Sequence, residues 1–462
     1  MVFSSLEFLF FYFAATLVMY FAVPFKWRNA VLLAVSLFFY GWGEPVHVFL
    51  MIGTILVDYV AGYFVGKYRE SDRKKARIVM IVAIIINIGL LGFFKYFNFI
   101  VGNLNRLPFI SIPEINVTLP IGISFYTFQA LSYVLDVYRM DASVQKDPVA
   151  FGTYVTLFPQ LIAGPIVRYQ DVDRELRSRP HNILMMSSGI RTFICGFAKK
   201  VLLANSAGAV WESMRDSNTT LGAWAGIVFF SFQIYFDFSG YSDMAIGLGK
   251  MLGFTFRENF YYPYMSKSIT DFWRRWHISL GTWFREYVYI PLGGNRRGKF
   301  RMYLNIFVVW FLTGLWHGAS WNFVLWGIYY CIILIIEKTF LMKALKKIPA
   351  VFSHLYSLIL ILFGWWLFAF DDLSKGISYL GLMFGKGTLT NGSVNFDILS
   401  NVLLFLILCI ASTPYPKKLY YRLYEKYPAA KWVVAVGGIA LLLVCVAYLV
   451  NSSYNPFLYF RF

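Results

Sequence analysis

Charge is scarce in this chain: only 14% of its 462 residues are Asp, Glu, Lys or Arg, against 58% hydrophobic. A soluble protein carries nearer to about a quarter charged residues, so a soluble globular enzyme is excluded. Repeated apolar runs of about twenty residues make it an all-α, polytopic integral membrane protein. Cysteine is also scarce. Cys195, Cys331, Cys409 and Cys445 are scattered through apolar stretches without a CxxC spacing, which excludes a disulfide framework or a metal centre and leaves them as small core residues. The N-terminal stretch MVFSSLEFLFFYF contains Glu7 and no basic run, so it reads as a first span and not as a cleaved signal. No soluble domain, internal repeat or disordered linker is visible. Acidic residues are outnumbered, 24 against 42 basic, for a formal charge of +18. The basic residues lie in short segments between apolar runs, a pattern explained by positive-inside bias and membrane lipid headgroups; nucleic acid is not an expected partner.

What the chain has is aromatic and apolar: 47 Phe, 32 Tyr and 14 Trp suit lipid-facing surfaces and interfacial belts. Spans are expected near 4–24, 29–43, 45–66, 78–100, 118–137, 183–204 and 221–248, then at a hairpin over 302–337 and near 352–370, 397–413 and 432–450. The loop KYRESDRKKAR at 67–77 carries six basic residues and marks the cytoplasmic side. Lys26 and Arg28 fall on the same side, which places both termini outside. Between 149 and 167, Pro159, Gly164 and Pro165 interrupt an apolar stretch before a basic run. That pattern predicts a hairpin dipping into the membrane, tolerated only where it is buried in protein or lines a cavity. The expected total is ten to twelve crossings plus this dip.

Polar residues inside spans are costly and mark interior faces. Gln129, Ser132 and Asp136 form one stripe, for which inter-helix bonding is the leading reading. Gln233, Asp237 and Tyr241 form another, with Ser239 and Asp243 alongside. They suit orienting neighbouring groups or binding a polar ligand, the structural role first. The longest polar segment, 250–301, places Trp273, Trp276, Leu280, Trp283 and Tyr287 at steps of three and four, with Arg274, Arg275 and Arg285 off that face. This predicts one amphipathic helix lying in the interface with His277 beside its Trp seam. GGNRRGK, 293–299, matches the spacing of a phosphate loop, but Phe300 replaces the required Ser or Thr and no strand precedes it. ATP binding is rejected, and Arg296 and Arg297 read as a basic turn for headgroups or an anionic donor. In WFLTGLWHGASWNFVLW, 310–326, a lone His317 sits in membrane-like sequence flanked by Gly314 and Gly318. Its setting points to function, weighed against a buried packing histidine; the glycines permit close backbone approach or a helix break.

Four stretches carry a resemblance: FPQLIAGPIVRY (158–169), YFDFSGYSDMAIGLGKMLGF (235–254), NFYYPYMSKSITDFWRRWHISLGTWFREYVYIPLGGNRRG (259–298) and GLWHGASWNFVLWG (314–327), with the terminal NPFLYFRF. Together they resemble the membrane-bound O-acyltransferase family, in its bacterial branch of alginate O-acetylation proteins, over nearly the whole chain. The resemblance implies a single membrane domain, 1–462, with N-terminal spans 1–148, a catalytic core 149–340 and C-terminal spans 341–462. It implies a ring of helices around a thinned centre, with shorter helices inside. It further implies that His317 of the WHG motif is catalytic and that His277 of RRWH is a second active-site residue. A periplasmic or extracellular acetyltransferase partner and a polysaccharide acceptor are the partners it suggests.

Acyl transfer from a thioester to a hydroxyl needs a base for the hydroxyl proton and donors for the developing oxyanion. His317 suits the first task, and His277 suits polarising the carbonyl, orienting the acceptor or stabilising charge. Asn322 is a candidate donor by position. No bound cofactor is expected; acetyl-CoA is the expected acyl-donor substrate, its phosphates meeting Arg274, Arg275, Arg296 and Arg297, with Asp237 also a candidate for substrate binding. The alternatives are D-alanyl or other acyl transfer to an envelope polymer, a transporter or flippase using Asp58, Asp136, Asp237 and Asp243, and a non-catalytic scaffold for polysaccharide export. A transporter is disfavoured by the absence of inverted repeats, and a scaffold would not need His317.

Overall fold

The computed structural model describes residues 2–113, 115, 117–451 and 455. The C-terminal stretch noted above therefore lies outside the described residues except for Asn455. Among the described residues there is no strand, only helices and an isolated bridge between Thr219 and Thr388. In hydrocarbon every backbone N–H and C=O must be satisfied within its own segment, which is why apolar runs of this length become helices. Among the described residues, seven helices are long and apolar enough to cross a membrane; a bent pair, Gly392–Ser400 and Val402–Ala411, makes an eighth if counted as one span. The chain is thus a multi-pass membrane protein. Other segments expected to cross form shorter or more polar helices, among them Phe25–Gly43, Ile123–Arg139 and Lys299–His317.

The chain divides into two compact units, residues 1–193 with 244–257, and residues 194–243 with 258–462. In the first unit, Arg73–Leu104 begins behind Asp72, whose side chain accepts from the Lys75 amide, and presents Ile78, Val82 and Ile85 outward as lipid-facing groups. Ile123–Arg139 buries Gln129, Ser132 and Asp136. Ser132 meets the Tyr154 hydroxyl at 3.2 Å, and Gln170 reaches Asp136 at 3.5 Å, in keeping with inter-helix bonding. The interrupted stretch forms two short helices, Pro148–Thr156 and Phe158–Leu161, and is buried from Ala150 through Tyr169. A Cβ on Gly164 would lie 2.5 Å from the Gln160 Cα, so the turn after Pro159 closes only around glycine.

The second unit is organised by Thr220–Met251, of which residues 220–243 belong to it. Here Asp237 pairs with Lys200 at 2.8 Å, both fully buried, and Asp243 pairs with Lys199 at 2.6 Å. Each carboxylate is neutralised by a lysine from the π-helical turn Lys199–Ala204. Removing one member of a buried pair leaves the other charge uncompensated at a cost of roughly 3–5 kcal/mol. The helices Lys299–His317 and Trp321–Ile336 then form the expected hairpin. Their backbones meet at Gly314 and Gly327: a Cβ on Gly314 would lie 2.4 Å from the Phe323 carbonyl oxygen, and one on Gly327 would lie 2.4 Å from that of Trp310.

Candidate active site

His317 is the last residue of its helix, at the apex of the hairpin. Gly318 ends the helix in an extended conformation, and a Cβ there would strike the Phe323 ring at 2.3 Å. Of the two roles open to the flanking glycines, Gly314 therefore serves the close approach and Gly318 the break. The imidazole is buried, 3% exposed, among the rings of Trp326 at 4.8 Å, Trp316 at 5.0 Å, Phe368 at 5.3 Å and Phe323 at 6.4 Å between centroids. Such a wall excludes water and strengthens any charge interaction made inside it.

His277 arrives by a different route. The expected single amphipathic helix is two, Ile269–Arg275 and Ile278–Phe284, followed by a π-helical turn. The break falls at Trp276 and His277, where His277 adopts φ 45°. That left-handed conformation is costly for a side chain with a Cβ and persists only where the surroundings enforce it. The enforcing residue is Asn259. Its carbonyl oxygen on the main chain accepts from the Ile278 amide at 3.0 Å, and its side-chain oxygen accepts from the Ser279 amide at 3.1 Å and the Ser279 hydroxyl at 2.9 Å. The periodicity of the Trp seam masked this break. Its residues Trp276, Leu280, Trp283 and Tyr287 are buried within protein, with Trp276 packed on Trp365 at 4.7 Å.

This network also fixes the His277 tautomer. Because Asn259 Oδ1 accepts from a backbone N–H, it is the oxygen, and His277 Nδ1 at 3.2 Å must donate to it. Asn259 Nδ2 in turn donates to Ser242 Oγ at 3.0 Å. The lone pair of the neutral ring is left on Nε2, which is buried with no hydrogen-bond partner among the described residues. His277 lies outside the membrane-spanning helices, and burial pushes its imidazolium down to about 3, so the ring is neutral at physiological pH. It packs on Phe238 at 4.7 Å and on Trp316 at 5.8 Å. Trp316 therefore touches both histidines, and the structure brings the two together around one indole.

Other expected site residues are placed differently. Asn322 is buried, with its side-chain oxygen bonded to Ser320 and its amide 3.4 Å from the Leu367 carbonyl. Arg275 is paired to Asp271 at 2.9 Å and stands over the Tyr261 ring at 5.6 Å. Arg274, Arg296 and Arg297 are exposed, and Asp237 is engaged with Lys200. Three residues escaped the sequence reading: Asn259, Ser242 and Glu337. The buried Glu337 carboxylate accepts from the Ile269 and Thr270 amides at 2.7 and 2.8 Å and from the Thr270 hydroxyl at 2.6 Å. It thus anchors the start of the helix that leads into His277. An acid in a stretch ending in basic residues was the available signal for Glu337; Asn259 lay inside a quoted motif but had no spacing to mark it.

A profile of the membrane-bound O-acyltransferase family matches residues 141–370. The chain is 37% identical over its whole length to a protein of Pseudomonas putida named as a probable alginate O-acetylase, which is also covered completely. It is 40% identical to a protein of the same name from Pseudomonas aeruginosa, over 84% of this chain and 76% of that one. A peptidoglycan O-acetyltransferase of Helicobacter pylori is 29% identical over 93% of this chain and 91% of its own.

Proposed function

This chain belongs to the membrane-bound O-acyltransferase family, and from that premise we propose that it moves an acetyl group from cytosolic acetyl-CoA across the bacterial inner membrane for O-acetylation of an extracellular or cell-wall polysaccharide. Relatives named for acetylation of alginate and of peptidoglycan support this choice of acyl group and acceptor class. A periplasmic acetyltransferase that completes delivery to the sugar is the partner this reading calls for.

The observation that carries the reading is the convergence of two buried histidines on Trp316. His317 is the base. It takes the proton of the acceptor hydroxyl as the oxygen attacks the thioester carbonyl; the C–O bond forms, the C–S bond breaks, and the proton passes to the departing thiolate to give the free thiol. General-base catalysis by a positioned side chain contributes about 10²–10⁴-fold. His277, neutral and with its Nε2 lone pair available, is poorly matched to proton abstraction near neutrality but well suited to accept a hydrogen bond that orients the acceptor hydroxyl or the donor amide. The oxyanion donor is left to Asn322 and to ring N–H groups around the site.

The test is His317→Ala beside His317→Gln, reading acetyl-CoA-dependent polymer acetylation and membrane abundance. Both variants should accumulate normally, because neither adds charge, and both should lose activity by about 10²–10⁴-fold. Retained turnover in the Gln variant, which hydrogen-bonds but does not exchange protons near neutrality, would make His317 a structural donor. Retained turnover in both would leave the scaffold reading standing.

A further inference from the structure

An open cleft of about 780 Å³ lies between the stretch that carries Asn259 and the helix Tyr415–Lys426, on the side where the alternation of basic loops puts the cytosol. Tyr261 and Tyr262 form one wall, and Lys417, Lys418, Arg422 and Lys426 supply its cations, with Glu425 as the acid among them. The Tyr415–Lys426 helix buries none of its residues, so these cations are not spent on the fold. Lys417 reaches Glu258 at 3.3 Å, while Lys418 and Arg422 make no ion pair among the described residues. One turn apart, they present two positive charges on one face.

The tyrosine wall is built, not incidental. Tyr262 holds φ 47°, a left-handed conformation that a tyrosine adopts only under constraint. Tyr261 is half exposed, its amide is fixed to the Arg275 carbonyl at 2.9 Å, and the Arg275 guanidinium stands over its ring. Two residues earlier in the same stretch, Asn259 holds the His277 ring. A ligand seated on Tyr261 is thereby coupled through the backbone to the residue that sets the His277 tautomer.

We propose that this cleft binds the adenosine 3′,5′-bisphosphate end of a coenzyme A thioester, with the purine against the tyrosine wall and the phosphates on Lys417, Lys418 and Arg422. The proposal rests on the acyl-donor reading above and extends it to a nucleotide subsite. Phosphate recognition by clustered cations is common to a nucleotide and an anionic phospholipid headgroup; the aromatic wall is what favours the purine.

The experiment measures equilibrium binding of coenzyme A, and of adenosine 3′,5′-bisphosphate as competitor, to the full chain in phosphatidylcholine nanodiscs. The variants are Tyr261→Ala and the double variant Lys418→Ala, Arg422→Ala, with thermal stability as the folding control. The double variant should weaken both ligands by about tenfold or more, and Tyr261→Ala by about fivefold or more, with unaltered melting. His317→Ala should bind both as the parent does. Unchanged affinity in the cleft variants overturns the cleft while leaving the donor reading intact. Loss of bound phosphatidylglycerol from mixed-lipid discs, with coenzyme A affinity unchanged, would instead make this a headgroup site. No coenzyme A binding by the parent protein, in membranes that still acylate polymer, would overturn the donor reading and the cleft with it.

Discussion

His317 and His277 are reached by different routes through the fold. Around His317 stand a helix end, two glycine contacts between backbones, and four aromatic rings. His277 is set by hydrogen bonds: a strained backbone held by Asn259, itself tied to Ser242 and Ser279, behind a helix start anchored on Glu337. Aromatic packing fixes where an imidazole sits and shields it from water. Hydrogen bonding fixes a tautomer, as an orienting group requires.

The contrast breaks most severely at Gly314. Gly314→Leu must force the hairpin backbones apart, since even a Cβ would stand 2.4 Å from a backbone oxygen. Overpacking of this kind costs about 1–3 kcal/mol or more, and membrane abundance and activity should fall together. Normal abundance would show that the hairpin tolerates separation and that packing does not position His317.

Asn259 tests the other side of the comparison. Asn259→Ala should lower turnover about 10²-fold, the usual penalty for a misplaced catalytic group, with abundance nearly kept. Asn259→Asp separates positioning from mere structure, because a carboxylate opposite Nδ1 favours the imidazolium. The acidic limb of its pH–rate profile should move to higher pH, and an unmoved profile would mean that the Asn259 contact does not govern His277.

Glu337→Gln is expected to be milder. The amide retains one acceptor oxygen but cannot serve every donor now bound to the carboxylate, a loss of about 1–3 kcal/mol. Thermal stability should fall measurably and turnover several-fold, with no change in the pH profile. A changed profile with unchanged stability would place Glu337 in the chemistry instead of in the scaffold.

The last effect, absent at neutral pH, concerns stability in acid. The folded-state pKa of His277 is lowered from 6.5 to about 3, so between those values the unfolded chain binds the extra proton and stability rises with pH. The contribution is complete above 6.5 and is lost progressively as pH falls toward 3. His277→Ala should therefore flatten the acid decline in melting temperature relative to the parent. An identical slope in both proteins would show that the burial of His277 is not what resists protonation.

Much of this architecture was legible from composition and periodicity, because burying an apolar run in lipid leaves the backbone no choice but a helix. The scarcity of charge announced the membrane, the basic loops suggested an orientation, and an ionisable residue between two apolar runs singled out His317. The hairpin over 302–337 appears as Lys299–His317 and Trp321–Ile336. What local pattern could not reveal was the break at His277, since the Trp seam continues in helical register across it. A side chain eighteen positions before His277, that of Asn259, captures the Ser279 amide and holds the left-handed turn. Asn322 and Asp237 likewise have polar side chains whose partners, Ser320, Leu367 and Lys200, are chosen by packing. Hydrophobic period is a property of neighbours along the chain, and the sequence by itself determines it. Which buried polar groups face one another, and hence which histidine is left with an open lone pair, is decided only when distant segments meet and every buried donor must find an acceptor.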